Sequence, residues 1–342
     1  MLMEKVAALC ALDGVSGCET EVREAIRAEA ARYAGKIETD VLGNLIVFKK
    51  GGRRPKKTVM LAAHMDEVGF INKRINDDGT LEIGATGGID RRVIMGKRVR
   101  VGEKRLPGVI GSVSVHLTTP EARKSVPKME NLYVDIGAKD KAEAEKHVEI
   151  GDPVAFDTAP EFFGDGRFKA KAIDDRLGCA VLLDLMAEAL PWDCYFVFTV
   201  QEEVGLRGAG PVAHRLAPDI CLIVEGTTAA DLPGMPDHKR ACRVGGGAVL
   251  PFMDRGTFYD RELFEHLCGL ARGADIPFQL KDYIAGGTDA GAIQRSVRGV
   301  RVAAVSAPVR YIHSPAGVAS VGDMRAVRDL VRRFIHDGEG MV

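Results

Sequence analysis

The spacing of apolar residues changes period twice along the chain, and each change marks a different kind of element. In ETEVREAIRAEAARYAG the residues Val22, Ile26, Ala30 and Tyr33 recur at helical spacing and stop at Gly35, which predicts a capped surface helix. GNLIVFKK and TVMLAAH, on either side of the basic turn GGRRPKK, predict strands. After Phe70 the pattern becomes short strands broken by glycine turns: INKRINDDGTLEIGATGG, KRVRVGEKRLPGVIGSVSVHL, NLYVDIGAK and IGDPVAF, interrupted mainly by the charged KDKAEAEKHVE. That is the pattern of a small β-barrel. Past Gly164 long helical patterns return in RLGCAVLLDLMAEAL, RELFEHLCGLARGA and DMRAVRDLVRRFIHDG, with a buried-strand run, CYFVFTV, at Cys194–Val200. The simplest organisation is an α/β domain formed by residues 1–69 and 165–342, with a β-barrel over residues 70–164 inserted after its early strands.

Composition excludes some partners. A chain of 342 residues can bury a large core and suggests roughly two domains. Its 47 basic and 48 acidic residues give a net charge of −1, so neither nucleic acid nor an anionic membrane gains electrostatic attraction. The opening MLMEKVAALCALDGVSG is too short in its apolar stretch, and too broken by charge, for a signal peptide or a membrane span; a cytoplasmic location is the expectation. The seven cysteines form no C-x-x-C pair and lie mostly in apolar runs, as reduced buried thiols do. No disulfide and no structural zinc site are expected.

The chemistry concentrates where apolar elements end. In TVQEEVGLRGAG, Glu202 and Glu203 leave a strand side by side, just before a glycine-rich turn. In AAHMDEVGF, His64 and Asp66 share a face by the strand's period of two, so a carboxylate can steady an imidazole whose other nitrogen binds a metal. KAIDDRLGC presents Asp174 and Asp175 just before an apolar helix, Glu225 ends the strand Cys221–Val224, and VRYIHSPAG puts His313 at a strand end closed by Pro315. Strand ends on one edge of an open α/β sheet are where sites assemble. Two histidines with several carboxylates and no thiolate suit zinc, cobalt or manganese, and exceed what one tetrahedral ion needs; two ions can share the set if one carboxylate bridges them.

Each of these groups has a plainer reading taken singly. His64 can be a satisfied core histidine, the paired acids helix-start charges favoured by the macrodipole, and Glu225 a cap. Thr288 in AGGTDAGAI reads as a helix N-cap. GKR at Gly96–Arg98 fails as a phosphate loop, since Arg91 stands where the first glycine belongs and Arg98 where Ser or Thr is needed. Against the plain readings stands their coincidence: five separate elements would all end in metal-type groups by chance.

The ordered set HMDEVGF, IDDR, QEEVGLRGA, VEGTTAADLPG, GGTDAGA and YIHSP resembles the tetrahedral (TET) aminopeptidases, metallopeptidase family forty-two, a family that includes glutamyl and deblocking aminopeptidases and relatives labelled endoglucanase. LDGVSGCE, GGIDRRVIMGKRV and MENLYVDIGA extend the resemblance over essentially the whole chain; GSVSVHL, without a lysine-proline element before its histidine, and Ile89, where an aromatic is usual, depart from it within the barrel. The resemblance implies a mixed sheet with helices on both faces and two divalent metal ions per subunit, zinc or cobalt first and manganese as a further choice. It implies that His64, Asp174 and Glu225 hold one ion and Asp174, Glu203 and His313 the other, with a cis peptide between Asp174 and Asp175. It further implies that Glu202 is the general base, that Gly287, Thr288 and Asp289 lie beside a short peptide substrate, and that dimers build a dodecamer. Three other readings stay open. A deacylase or carboxypeptidase could use nearly the same ligands. A non-catalytic assembly protein would be expected to have lost some of them. A glycosidase is disfavoured by one tryptophan and 6% aromatic residues.

Overall fold

The computed structural model describes residues 2–337. Helices α1 (Leu2–Cys10) and α2 (Thr20–Ala30) precede strands β1 (Lys36–Thr39), β2 (Leu45–Lys49) and β3 (Val59–His64). Six strands follow, β4 (Gly69–Ile75), β5 (Leu81–Thr86), β6 (Arg98–Val101), β7 (Leu106–Ser112), β8 (Leu132–Asp135) and β9 (Pro153–Phe156), with the short helix α3 (Lys141–Ala144) before the last. They close into a barrel in the order β4-β5-β8-β7-β6-β9, every pairing antiparallel. The barrel has its own core, in which Phe70 and Phe156 meet edge to face at 5.5 Å.

The chain then returns to the larger layer with β10 (Glu161–Phe163), β11 (Arg167–Ala170), α4 (Ile173–Met186), β12 (Cys194–Thr199), α5 (Ala209–Leu216), β13 (Ile220–Thr228), β14 (Ala248–Leu250), α6 (Arg261–Gly273), β15 (Phe278–Leu280), α7 (Asp289–Gln294), β16 (Arg301–Val309), β17 (Gly317–Ser320) and α8 (Val321–Asp337). The main sheet has eight strands in the order β1-β2-β12-β3-β13-β16-β14-β15, and its centre, β12-β3-β13-β16, is parallel. β10, β11 and β17 form a separate three-stranded sheet.

Period-two alternation sends side chains to two cores. Val59, Leu61 and Ala63 of β3 join the helices α1, α2, α4, α6 and α8 on one face, whereas Met60 and Ala62 join α5 and α7 on the other. The parallel strands therefore carry near-continuous buried runs, as sheets covered on both faces do. Helix α2 stops at Ala30, short of Gly35; Tyr33 packs against the core from a following turn. Among the described residues no helix is long and apolar enough to cross a membrane, and all seven cysteines are unpaired.

Candidate metal centre

The carboxyl ends of the parallel strands converge on one cluster. β3 ends at His64, and β12 ends at Thr199, three residues before Glu202. Glu225 is not a strand end: β13 runs on to Thr228 because β16 pairs with it as far as Val309, so Glu225 projects from within the sheet opposite Ser306. His313 likewise sits beyond β16, in a turn, at φ +56°. Asp174 and Asp175 have non-helical backbone at the entry to α4, and the peptide between them is cis.

Both histidines present the same nitrogen to the same carboxylate. His64 Nδ1 lies 3.1 Å from the Asp66 main-chain oxygen and His313 Nδ1 3.1 Å from the Gly88 main-chain oxygen, which assigns the proton to Nδ1 in each ring. Nε2 of His64 then lies 3.3 Å from Asp174 Oδ1, and Nε2 of His313 lies 3.6 Å from Asp174 Oδ2 and 3.2 Å from Glu203 Oε2. One ligand atom each from His64, Asp174 and Glu203 falls within 4.8 Å of the others. Glu225 is buried beside them; Ser306 Oγ is 3.5 Å from its Oε1, and the next amide, Gly226 N–H, donates to Asp174 Oδ1 at 3.3 Å.

The other expected residues divide by role. Asp66 is buried, and its carboxylate stands 3.5 Å from His64 Nδ1; its stronger bonds come from the Glu202 and Glu203 amides and the Ser16 hydroxyl. Asp175 turns away from the cluster to accept from the His64 and Gly178 amides. Among the described residues no hydrogen bond engages the Glu202 carboxylate. In the 287–289 loop only Gly287 is exposed. Thr288 caps α7 by accepting from the Ala290 amide, and Asp289 accepts from the Thr199 hydroxyl at 2.5 Å.

A buried ionic cluster fastens this edge from behind. Lys171 Nζ bonds both Glu67 oxygens, at 2.6 and 2.8 Å, and the Leu12 carbonyl; Arg176 bonds the carbonyls of Leu9 and Met65 and reaches Glu67 at 3.2 Å. Removing one partner from such a buried set costs about 3–5 kcal/mol. Lys171 and Arg176 flank the paired aspartates in the sequence but carry no signal of their own there, because burial of a charge is decided by distant residues.

The electrostatics define what the cluster lacks. Burial pushes Glu202 and Glu225 well above the usual carboxylate range and Glu203 up to about 7. Burial also opposes charging of the histidines, yet the Asp174 contact outweighs it, lifting His64 well above its ordinary value and His313 to about 9. Asp174 is also buried, but between two imidazoles its carboxyl is held below the usual range. Asp66, Asp174, Glu202, Glu203 and Glu225 thus share two imidazoles as counter-charge, with the Lys281 ammonium acting on Glu225 as well. Divalent cations would supply the missing positive charge, and the donor set of imidazole nitrogens and carboxylate oxygens suits them.

The protein thus joins an antiparallel barrel to a mixed sheet whose carboxyl edge gathers imidazoles and carboxylates. The profile of the M42 glutamyl aminopeptidase family matches residues 43–330, and the chain belongs to that family. A putative aminopeptidase of Acetivibrio thermocellus is 40% identical over 321 residues, 93% of this chain and 94% of the relative. The crystal structure of a TET aminopeptidase from the marine sediment archaeon Thaumarchaeota archaeon SCGC AB-539-E09 superposes with a TM-score of 0.93 at 35% identity, covering 98% of this chain and 95% of that one. The TET1 peptidase of Pyrococcus horikoshii, which can assemble into a tetrahedron or a large octahedral shell, superposes at 0.87 with 32% identity, covering 98% of this chain and 100% of that one. The protein is a peptide hydrolase, and its family implies divalent metal cofactors.

Proposed function

We propose that the chain is a dinuclear metal-dependent aminopeptidase that removes the N-terminal residue from short peptides. The observation that carries this reading is Asp174, whose two oxygens address the Nε2 atoms of two different histidines at 3.3 and 3.6 Å within a buried set of carboxylates. His64, Asp174 and Glu225 would hold one cation and Asp174, Glu203 and His313 the other, with zinc or cobalt as the ions and manganese as the third choice. Cations bound there supply charge that polarises a peptide carbonyl and makes a water more acidic. Glu202 moves the proton: its carboxylate takes it from the attacking water and delivers it to the leaving amine nitrogen. Burial, which raises its proton affinity, suits a group that must hold a proton between two steps. Asp66 orients both the base and a ligand through their amides. Gly287 meets the substrate from the exposed loop, with Thr288 and Asp289 anchoring that loop to the fold.

The same reading assigns residues 1–69 and 165–342 to the catalytic domain and 70–164 to a barrel used in assembly, dimers building a twelve-subunit shell in the cytoplasm. The assemblies formed by the TET1 peptidase support it, as do exposed apolar residues on the barrel. The experiment is hydrolysis of aminoacyl-p-nitroanilides and of N-free and N-blocked peptides after chelation and after return of zinc, cobalt or manganese. Metal-restored release from free N-termini is expected. No release with any ion, despite bound metal, would overturn the reading in favour of a deacylase.

A further inference from the structure

The segment LDGVSGCE is left without a task by the mechanism above, yet it packs against the turn that carries the two glutamates. Four consecutive main-chain N–H groups leave that turn for side-chain oxygens. Val200 donates to Asn44 Oδ1 at 3.0 Å, Gln201 to Glu19 Oε1 at 3.1 Å, Glu202 to Asp66 Oδ1 at 2.9 Å and Glu203 to Asp66 Oδ2 at 3.1 Å. All three acceptor residues are buried, Glu19 at 3% exposure. Buried amides must be paired, and a strand end or turn ordinarily pairs them with carbonyls or water. Here three side chains from separate parts of the chain do it instead.

The arrangement has a conformational reason. Gln201 sits at φ +56°, in the left-handed region that is unfavourable for a non-glycine residue and persists only where the surroundings over-determine it. Its own amide is the one Glu19 holds. Glu19 in turn is fixed by the Gly17 amide at 2.7 Å, and the segment is pinned to the Asp66 linker by a parallel bridge between Val15 and Glu67 and by the Ser16 hydroxyl on Asp66 Oδ2 at 2.6 Å. The two acids that hold the turn are therefore tied to each other through Ser16, and displacement of one reaches the other.

We propose that Glu19 is a positioning residue for the reaction. Its carboxylate fixes the Gln201 amide and thereby the direction in which Glu202 leaves the strand. This rests on the reading of Glu202 as the base. Glu19's hydrogen-bond partners are two main-chain amides, so it acts through the turn and not on the substrate. A glutamine at position 19 retains an acceptor oxygen of the same reach, whereas alanine withdraws it.

The test compares Glu19→Ala, Glu19→Gln and Glu202→Gln with the unaltered protein, measuring kcat and KM on an aminoacyl-p-nitroanilide, bound metal per subunit and Tm. Loss of positioning is expected to lower kcat per metal-loaded subunit about 10- to 100-fold in Glu19→Ala. KM and metal content should stay near those of the unaltered protein, and Glu19→Gln should recover most of the loss. Unchanged kcat per metal-loaded subunit in Glu19→Ala, or a glutamine variant no better than the alanine one, overturns the proposal, and a fall confined to Tm does the same. If Glu19→Ala does not fold, Glu19→Asp, one methylene shorter, withdraws the acceptor from Gln201 and carries the same expectation. Full turnover by Glu202→Gln would overturn the assignment of the base alone, since the alanine-against-glutamine comparison at Glu19 still decides whether the turn is being positioned.

Discussion

The turn at Val200–Glu203 and the barrel segment from Val113 to Lys128 satisfy their groups in opposite ways. The turn sends successive amides to residues 136 to 182 positions away, all buried. The barrel segment bonds mainly to itself: Leu117 to Ser114, Thr118 to Val115 and Arg123 to Thr118, with Arg91 on Pro127 as a longer tie. Its apolar side chains are left uncovered, Val113 and Val115 at 56% exposure and Leu117 at 81%. Folding of one chain completes the first region. In the second it leaves apolar surface that a second copy could bury. Changes in the turn should therefore cost turnover, and changes in the segment should cost association.

The largest expected effect lies in the turn. Glu202→Gln should lower kcat by about 10²- to 10⁴-fold while elemental analysis finds the same metal per subunit, because the amide cannot take the proton but no proposed ligand is lost. Metal loss in step with activity would place Glu202 among the ligands.

A smaller effect sharpens the comparison through pH. Without cations, burial holds Glu203 at about 7 against an ordinary 4.5. His313, despite burial, is held at about 9 by Asp174 and Glu203, against an ordinary 6.5. Both groups bind protons more tightly folded than unfolded, so their contribution is complete at low pH. It is lost as pH rises from 4.5 through 7 for Glu203 and from 6.5 through 9 for His313. Cation binding runs the other way, since its ligands must be deprotonated. Calorimetry should show the metal-free Tm falling between about pH 4.5 and 9 while its gap to the metal-loaded Tm widens. A gap independent of pH would count against these ligands.

The smallest effect on the single chain is expected in the barrel segment. Leu117→Asp at an exposed site should change stability by no more than about 0.5 kcal/mol and leave kcat per subunit unaltered, while light scattering reports a lower mass. An unchanged mass would remove Leu117 from any contact between copies.

Much of the site was legible because its chemistry is local in sequence. Asp66 does lie beside His64 as the sequence reading expects, but not by strand period: β3 ends at His64, and the Asp66 main-chain oxygen is the closer partner of Nδ1. Glu202 and Glu203 announced themselves as adjacent acids at a strand end. Glu225 reads as a strand terminus in the sequence, because only pairing with β16 reveals that β13 continues past it. His313 reads as a strand end in the sequence, whereas β16 stops at Val309 and His313 sits in a turn that contacts Gly88 of the distant barrel region. Glu19 and Asn44 gave no functional signal, since an acid at a helix start and an asparagine before a strand have ordinary uses there.

The sequence by itself determined the fold class, the two textures of the chain and the kinds of donor gathered at the sheet edge, because periodicity and side-chain chemistry are written residue by residue. Only the tertiary structure decided which atoms meet. Asp174 between two histidines, and four amides of one turn on three buried side chains, depend on segments that a linear reading holds more than a hundred residues apart. Burial, which sets the charge each group can bear, exists only once those segments have packed together.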